Sequence, residues 1–294
     1  MVQVGANRYG KAEIRVVRVA RGTGPGGSDV IRDWNVSTSL SGDLDDSHLT
    51  GDNAKVLPTD SQKNRVYALA KELGAVEPET FALELAAFFV ASQEPISRAR
   101  ITIEEYGWTP IGTTGYSFAR SGDLVRTTTV TRDAAAGTSV VSGIKDLVVM
   151  NPTESEFWGF PRDAHTTLAE TTDRILATAV NAQWRFRPEA VTAAADWGAT
   201  FATARQTILG TFAGTHSYSL QQMLYALGSA VLAAVPELCE ARLALPNKHH
   251  FIVDLAPFGL DNDREVYHAD DRPYGLIEGS VLADDAPDAG LAWD

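Results

Sequence analysis

The sequence predicts an α+β fold in which helices cover one face of an antiparallel sheet. Strand-like and helix-like segments occur in runs and do not alternate strictly, which is typical of this class. The order strand, strand, helix, helix, strand, strand occurs twice along the 294 residues. Hydrophobic residues make up 44% of the chain and charged residues 21%, a composition typical of globular domains. A chain of this length forms one large domain or two ordinary ones.

The first half begins and ends with pairs of strand-like segments. Lys11–Arg21 alternates between apolar and polar residues, and a glycine-rich turn at Gly22–Gly27 joins it to the next strand. Apolar residues recur at helical spacing after Thr59, and Pro78 lies in the first turn of a second helix. The predicted segments are Lys11–Arg21, Val30–Leu40, Thr59–Leu73, Pro78–Ser92, Ser97–Tyr106 and Asp123–Arg132.

The second half repeats this order loosely. Its predicted segments are Val140–Met150, Asn181–Phe186, Ala193–Gly214, Ser219–Val235, Ala241–Leu255 and Gly275–Leu282. The small-residue turn at Asp133–Ser139 separates the halves, so we expect one domain at 1–136 and a second at 137–282. Residues 283–294 are acidic and contain proline, which favours a tail outside the folded structure.

Charge and composition exclude several classes of partner. The formal charge of -13 argues against nucleic acid and against anionic membranes, because binding to either depends on basic surfaces. The longest apolar run, Leu227–Val235, is far shorter than a membrane helix. Cys239 is the sole cysteine, and the first residues lack a secretory pattern. We therefore expect a cytoplasmic protein, and an anionic substrate requires cations supplied locally by the site.

Two polar residues interrupt the apolar face of the strand predicted at Ala241–Leu255. Alternation places Asn247 and His249 on the same face as five apolar side chains, namely Leu243, Leu245, Phe251, Val253 and Leu255. A buried amide without a partner costs about 1–3 kcal/mol, so both residues need protein partners or a ligand. His249 and His250 point to opposite faces, and no other ligand lies at metal-binding spacing, so no metal site is expected.

The first residues of two predicted helices are polar, and each set can be interpreted either as a helix cap or as an anion-binding site. Thr59–Gln62 has the pattern of a capping box, and Ser219–Gln222 resembles it. A helix N-terminus also attracts anions through its free N–H groups. Taken one at a time, Lys11 and Arg174 pass for surface cations and Phe157 for a core aromatic residue.

Taken together, six motifs resemble the urate oxidase (uricase) family in the family's own order. The motifs are Tyr9–Val16, Thr59–Asn64, Ser155–Asp163, Thr166–Thr178, Leu245–Phe251 and Asp271–Glu278. The resemblance implies two tandem tunnelling-fold (T-fold) domains, each an antiparallel sheet with helices on one side. It also implies a homotetramer with active sites at subunit interfaces. The implied reaction converts urate, dioxygen and water to 5-hydroxyisourate and hydrogen peroxide without a metal or organic cofactor.

The resemblance implies a proton relay and a binding site for dioxygen. Lys11, Thr59 and His249 match the family's catalytic triad, in which a proton moves through the threonine hydroxyl. Asn247 matches the residue that holds dioxygen, and later water, above the substrate ring. Thr59 and Asp60 are expected to come from a neighbouring chain.

The resemblance also implies how urate is held. Arg174 pairs with a carbonyl and a ring nitrogen of urate in a bidentate fork, and Gln221 holds the opposite edge. Phe157 stacks on the purine face. The remaining contacts come from the backbone N–H groups of Asp60 and Leu220 and from the side chain of Leu168.

Two other functions remain as alternatives, and one segment of the chain differs from the family pattern. A purine-like or pterin-like binding protein needs Arg174 and Gln221 but not the triad, and a hydrolytic T-fold relative needs zinc ligands that the chain lacks. The family's His-x-His-Ser-Phe element is replaced here by a segment ending Tyr116-Ser117-Phe118. The departure puts a local strand or subunit contact in doubt. The chain also lacks the Ser-Lys-Leu peroxisomal signal of eukaryotic members.

Overall fold

Antiparallel pairing joins both halves of the chain into one sheet. The computed structural model describes residues 2–270 and 272–294; Asp271, the first residue of one family motif, lies outside them. The strands of the first half are β1 (Ile14–Ala20), β2 (Val30–Gly42), β3 (Ile96–Glu105), β4 (Trp108–Pro110), β5 (Phe118–Arg120) and β6 (Val125–Asp133). Those of the second are β7 (Gly137–Asn151), β8 (Leu176–Phe186), β9 (Leu238–Pro246), β10 (His249–Ile252), β11 (Tyr267–Asp270) and β12 (Leu276–Leu282).

The main sheet has eight strands in the order β1-β2-β3-β6-β7-β8-β9-β12. All neighbouring strands run antiparallel, and β6 pairs with β7 across the turn that ends the first half. Strands β4 and β5 form a separate two-stranded sheet, as do β10 and β11. The two domains predicted at 1–136 and 137–282 therefore share one continuous sheet, and their boundary as folding units stays a prediction.

The longer helices pack on one face of this sheet. They are α2 (Thr59–Leu73), α3 (Pro78–Ser92), α4 (Trp197–Gly214) and α5 (Leu220–Ala234), and a short helix, α1 (Asp45–Leu49), follows β2. Helix α3 contacts β3 and β6, and α5 contacts β9 and β12. Trp34 on β2 and Phe81 on α3 are fully buried, with ring centroids 4.8 Å apart. The predicted class, α+β with helices on one face, is confirmed. In the described residues, no helix is both long enough and apolar enough to cross a membrane.

The C-terminal segment differs from the prediction, because it packs against the sheet face opposite the helices. Arg185 on β8 donates a hydrogen bond to the Pro287 carbonyl at 2.8 Å. Trp293 Nε1 donates to Glu240 at 3.1 Å, and the Arg242 guanidinium lies 4.0 Å from the Trp293 ring centroid. The segment 283–294 therefore acts as a strap across the sheet, and its acidic composition did not reveal these contacts.

The segment that departs from the family pattern forms the β4–β5 hairpin. Trp108 Nε1 donates to the carboxylate of Asp33 at 3.0 Å, and the Arg120 guanidinium lies 4.2 Å from the Tyr106 ring centroid. Tyr116, at the tip, is 72% exposed. The side chain that replaces the family's histidine is therefore available for contact with another molecule, and its effect on assembly stays a prediction.

A buried carboxylate connects α3 to the centre of the sheet. Glu79 is 1% exposed and accepts hydrogen bonds from Arg126 at 2.7 Å, Thr128 at 3.0 Å and Ser142 at 2.6 Å. Arg126 also donates to Glu77 at 2.6 Å. The three donors lie on β6 and β7, so this cluster holds the helix over the point where the two halves meet.

We expect replacement of Glu79 by alanine to lower the free energy of unfolding by about 3 kcal/mol, because it leaves a buried guanidinium with fewer carboxylate partners. Chemical denaturation at a fixed protein concentration measures this change. Glu84→Gln, at an exposed position of the same helix, is the control. Equal stability of the two variants would show that the cluster does not contribute.

Candidate active site

Backbone pairing brings Phe157 and Arg174 together in the irregular segment between β7 and β8. The N–H of Phe157 donates to the Thr171 carbonyl at 2.8 Å, and the N–H of Arg174 donates to the Ser155 carbonyl at 2.8 Å. As a result, the Arg174 guanidinium lies 5.1 Å from the centroid of the Phe157 ring. Phe160 stacks on that ring at 5.0 Å and fixes its plane. The two residues form a flat, positively charged platform.

The charge of Arg174 is not neutralised within the described part of the chain. Its side chain forms no ion pair among residues 2–270 and 272–294, and its buried Nε has no hydrogen-bond partner. Burial lowers the pKa of this guanidinium from its ordinary value. A half-buried cation that lacks a carboxylate is costly unless a ligand supplies the negative charge. Arg174 therefore favours an anionic, planar ligand.

The start of α5 lies beside this platform. Ser217 and Ser155 form a parallel bridge, in which the N–H of Glu156 donates to the Ser217 carbonyl at 2.7 Å. Ser219 then caps α5 by accepting from the N–H of Gln222 at 3.1 Å. The interpretation of this segment as a helix cap is confirmed, and its role as an anion site stays a prediction.

Leu220 and Gln221 are adjacent in the first turn of α5, but one side chain is buried and the other is exposed. The Leu220 side chain is 2% exposed and belongs to the core, so toward solvent it can present only its backbone N–H. The Gln221 side chain is exposed and can reach a ligand. Leu168 is 51% exposed in the loop between Phe157 and Arg174, and its place in the site stays a prediction.

The strand predicted at Ala241–Leu255 is interrupted, which corrects the expectation that Asn247 and His249 share one apolar face. Strand β9 ends at Pro246, and β10 begins at His249 in a different sheet. Asn247 bridges to Thr178 on β8, and the N–H of Lys248 donates to the Ala177 carbonyl at 2.9 Å. The two polar residues therefore lie where the chain leaves the main sheet. The His249 ring stacks on Phe251 at 5.8 Å.

Lys11 lies before β1 and not within it, because β1 begins at Ile14. The chain bends between them at Glu13, whose φ of 57° is in the left-handed region. The N–H of Lys11 donates to the Thr38 hydroxyl at 3.1 Å. That hydroxyl donates to the Gln62 amide oxygen at 2.7 Å, which ties Lys11 to the first turn of α2.

The capping box predicted at Thr59–Gln62 is wrong. Pro58 occupies the cap position of α2, no side chain in the described part of the chain caps the helix, and the Gln62 side chain is buried against Thr38. Thr59 is the first residue of the helix and is half-buried, so its hydroxyl is not used for capping. A hydrogen bond from Lys63 lowers the pKa of the Asp60 carboxyl, and the charge of Lys11 contributes to the same shift.

The predicted residues thus form two groups at distant corners of the sheet. Lys11 pairs with Thr38 on β2, and Asn247 with Thr178 on β8, four strands along in the sheet order. Four strand spacings correspond to roughly 19 Å. Thr38 is level with Val140 of β7, whereas Thr178 is level with Val149, nine residues further along. Nine residues correspond to roughly 30 Å, so one chain does not bring the groups together.

Neither group lies in a wide groove on the helix-free face. That groove has a volume of about 770 Å³ and is lined by charged and amide side chains, including Lys145, Asn181 and Arg242. In the described residues, no three His, Cys, Asp or Glu side chains are placed to hold a metal ion. Sequence reasoning missed Thr178 and Ser155, whose buried hydroxyls lie beside the site and have no hydrogen-bond partner among residues 2–270 and 272–294. A single serine or threonine in a sequence does not indicate that its hydroxyl will be buried beside a binding site.

Comparison with known proteins gives matches over both halves of the sheet. A family model described as uricase matches residues 7–131 and 140–278. The uricase of Arthrobacter globiformis is 45% identical over 280 residues, which cover 95% of this chain and 90% of that protein. The uricase of Dictyostelium discoideum is 35% identical over 281 residues, covering 94% of this chain and 96% of that protein.

Solved structures agree with the sequence matches. The crystal structure of the Arthrobacter globiformis uricase superposes with a TM-score of 0.93 at 43% identity and covers 100% of this chain and 99% of its own. The structure of a uricase from Bacillus fastidious gives a TM-score of 0.80 at 26% identity over 95% of this chain and 94% of its own. Because the fold and the sequence agree along nearly the whole length, the chain belongs to the uricase family.

Proposed function

We propose that the protein oxidises urate with dioxygen and water to 5-hydroxyisourate and hydrogen peroxide. The observation that carries the proposal is the half-buried Arg174 guanidinium over the Phe157 ring, without a carboxylate partner among the described residues. Urate is a planar anion with adjacent carbonyl and ring-nitrogen positions, which suit a guanidinium fork. Membership of the uricase family supports the same assignment.

Urate is held by groups of complementary shape and charge. Arg174 pairs with one edge of the purine, Gln221 with the opposite edge, and Phe157 stacks on its face. The backbone N–H groups of Leu220 and of Asp60 add partial positive charge at two helix starts. These local cations and dipoles offset the repulsion that the net charge of -13 exerts on an anion.

The electrons for the reduction of dioxygen come from urate itself. The substrate loses two electrons and two protons, and dioxygen takes up both the electrons and the protons as hydrogen peroxide. Water then adds its hydroxyl to carbon 5 of the oxidised purine and its remaining proton to a ring nitrogen. The protein then has to move protons and position the reactants. Lys11 holds the proton through the Thr59 hydroxyl, and His249 completes the path to the water. Asn247 holds dioxygen, and afterwards water, above the ring.

The site is completed by a second copy of the chain, which supplies Lys11, Thr59 and Asp60 to the platform of its neighbour. The support is the separation of the two groups of residues at opposite corners of one sheet. A two-fold arrangement that places each corner against the opposite corner of its partner makes two equivalent sites. Among the described residues, β1 and β12 each pair with a strand on one side only, so sheet pairing between copies can extend this dimer to the homotetramer.

A cytoplasmic location belongs to the same proposal. Cys239 is the sole cysteine and is buried, so the fold does not depend on a disulfide.

Purified protein mixed with urate under air tests the activity. We expect loss of the near-ultraviolet absorbance of urate with formation of one peroxide per urate, at a rate unchanged by a metal chelator. The same sample in a closed cell should consume dioxygen in equal amount. Binding of urate without its consumption would instead identify a binding protein.

Replacement of Lys11 by methionine or Thr59 by alanine should lower kcat about 100-fold or more, because each removes a member of the proton relay. The dissociation constant of xanthine, a planar analogue without the carbonyl oxygen at carbon 8, should change much less. Lys71→Met, at an exposed position of α2, is the control. Full activity in both relay variants would reject the relay.

Replacement of Arg174 by alanine should weaken xanthine binding by about 2–5 kcal/mol, because a buried charged partner of the ligand is lost. Arg174→Lys keeps the charge but not the fork and should bind with intermediate affinity. Isothermal titration calorimetry measures both, with the exposed Arg162→Ala as control. Unchanged affinity in the alanine variant would contradict the role of Arg174.

A further inference from the structure

His216 lies between two glutamates just before α5. Its Nδ1 is 2.8 Å from a carboxylate oxygen of Glu154, and its Nε2 is 2.8 Å from a carboxylate oxygen of Glu156. The imidazole is 36% exposed, so the ring is accessible to solvent protons. The edge-to-face ring of Tyr218, 5.1 Å away between centroids, fixes its orientation. We call these three residues, His216, Glu154 and Glu156, the imidazole clamp.

The clamp requires a protonated ring. An ionised carboxylate only accepts hydrogen bonds, and a neutral imidazole has a single N–H, so both contacts are satisfied only by the imidazolium. Hydrogen bonds with Glu154 and then with Glu156 raise the pKa of His216. Those two carboxylates are the charged groups that act on the ring within the described part of the chain. The indole N–H of Trp158 donates to the other carboxylate oxygen of Glu156 at 2.5 Å and keeps that carboxylate in place.

The clamp joins the two segments that hold the proposed substrate platform. Glu154 and Glu156 flank Ser155, whose carbonyl accepts from the N–H of Arg174, and Phe157 follows directly. On the other side, His216 precedes Ser217, which pairs with Ser155. Two residues later, Ser219 caps the helix that carries Leu220 and Gln221. The distance between the stacking ring and the start of α5 therefore depends on how firmly these segments are joined.

The backbone at Glu154 supports this dependence. Its φ of 60° is in the left-handed region, which is unfavourable for a residue with a side chain. Such a conformation persists where surrounding contacts hold it. Here the Glu154 carbonyl accepts from the N–H of Ser217 at 3.0 Å, and its carboxylate binds the His216 ring. Both contacts join the segment before Phe157 to the segment before α5.

We propose that His216 is a positioning residue for urate: as an imidazolium bound by Glu154 and Glu156, it fixes Phe157 relative to Leu220 and Gln221. The inference rests on the proposed function, because it concerns the same site. His216 does not touch the substrate in this account. A raised pKa means that the clamp is intact at low pH and is lost as the pH rises through the pKa of the folded protein. The KM for urate therefore increases over that range.

The experiment compares KM and kcat of the wild-type protein and its variants from about pH 6 to about pH 9. His216→Gln offers one amide donor and one carbonyl, like a neutral imidazole. We expect its KM at the lower pH to be about three- to tenfold above wild type, with kcat changed less than about twofold, and its KM to vary little with pH. Glu156→Gln should behave similarly. His48→Gln, an exposed histidine on α1, is the control and should match wild type.

A permanent cation separates positioning from a general effect on folding. His216→Arg keeps several N–H donors and a positive charge over the whole pH range. We expect it to keep a low KM at the upper pH, where wild type has lost the clamp. The variants should rank in the same order by their dissociation constant for xanthine as by their KM for urate. Thermal unfolding of each variant, measured in parallel, reports any loss of folded protein.

Several outcomes would overturn the inference. One is a His216→Gln variant whose KM depends on pH as in wild type. Another is a His216→Gln variant that loses kcat but keeps the KM of wild type. A third is a His216→Arg variant whose KM depends on pH as in wild type. Failure of the wild-type protein to consume urate would instead reject the proposed function. If His216→Gln does not fold, the KM profile of Glu156→Gln decides, since that variant keeps the ring and the Glu154 contact.

Discussion

Hydrogen bonding across one continuous antiparallel sheet determines where chemistry can occur in this protein. The helices occupy one face, and the strand ends release the segments that carry Lys11, Phe157 and Asn247. Register then fixes the positions of these segments relative to one another, because a strand cannot slide without exposing its buried residues. The buried carboxylate of Glu79, placed where the two halves meet, stabilises the register at the centre of the sheet.

The site differs from the rest of the chain in having a half-buried arginine whose charge is not balanced by a carboxylate of the described residues. Most arginines near the sheet are paired with carboxylates, as Arg126 and Arg185 are with Glu79 and Glu240. Arg174 differs because its burial is not accompanied by a carboxylate partner in the described residues. An acidic protein can bind an anionic substrate when a cation of this kind is kept free for it.

Much of the fold follows from periodicity in the sequence, and the failures have physical causes. The main strands and the longer helices follow the predicted succession, because apolar spacing depends on local geometry. The break after Pro246 was missed because β10 pairs with β11, a contact that local spacing does not encode. The capping box failed because Gln62 turns to a buried hydroxyl on β2, more than twenty residues earlier in the chain. The residue types of the site came from family resemblance, but their division between two corners required the strand register.

The strap formed by the last residues has a consequence for how the protein is made. Arg100, on a strand of the first half, donates to the carbonyl of Ala292, at 3.4 Å. Residues 283–294 follow every strand of the main sheet in the chain, so this contact can form only after the whole sheet has been synthesised.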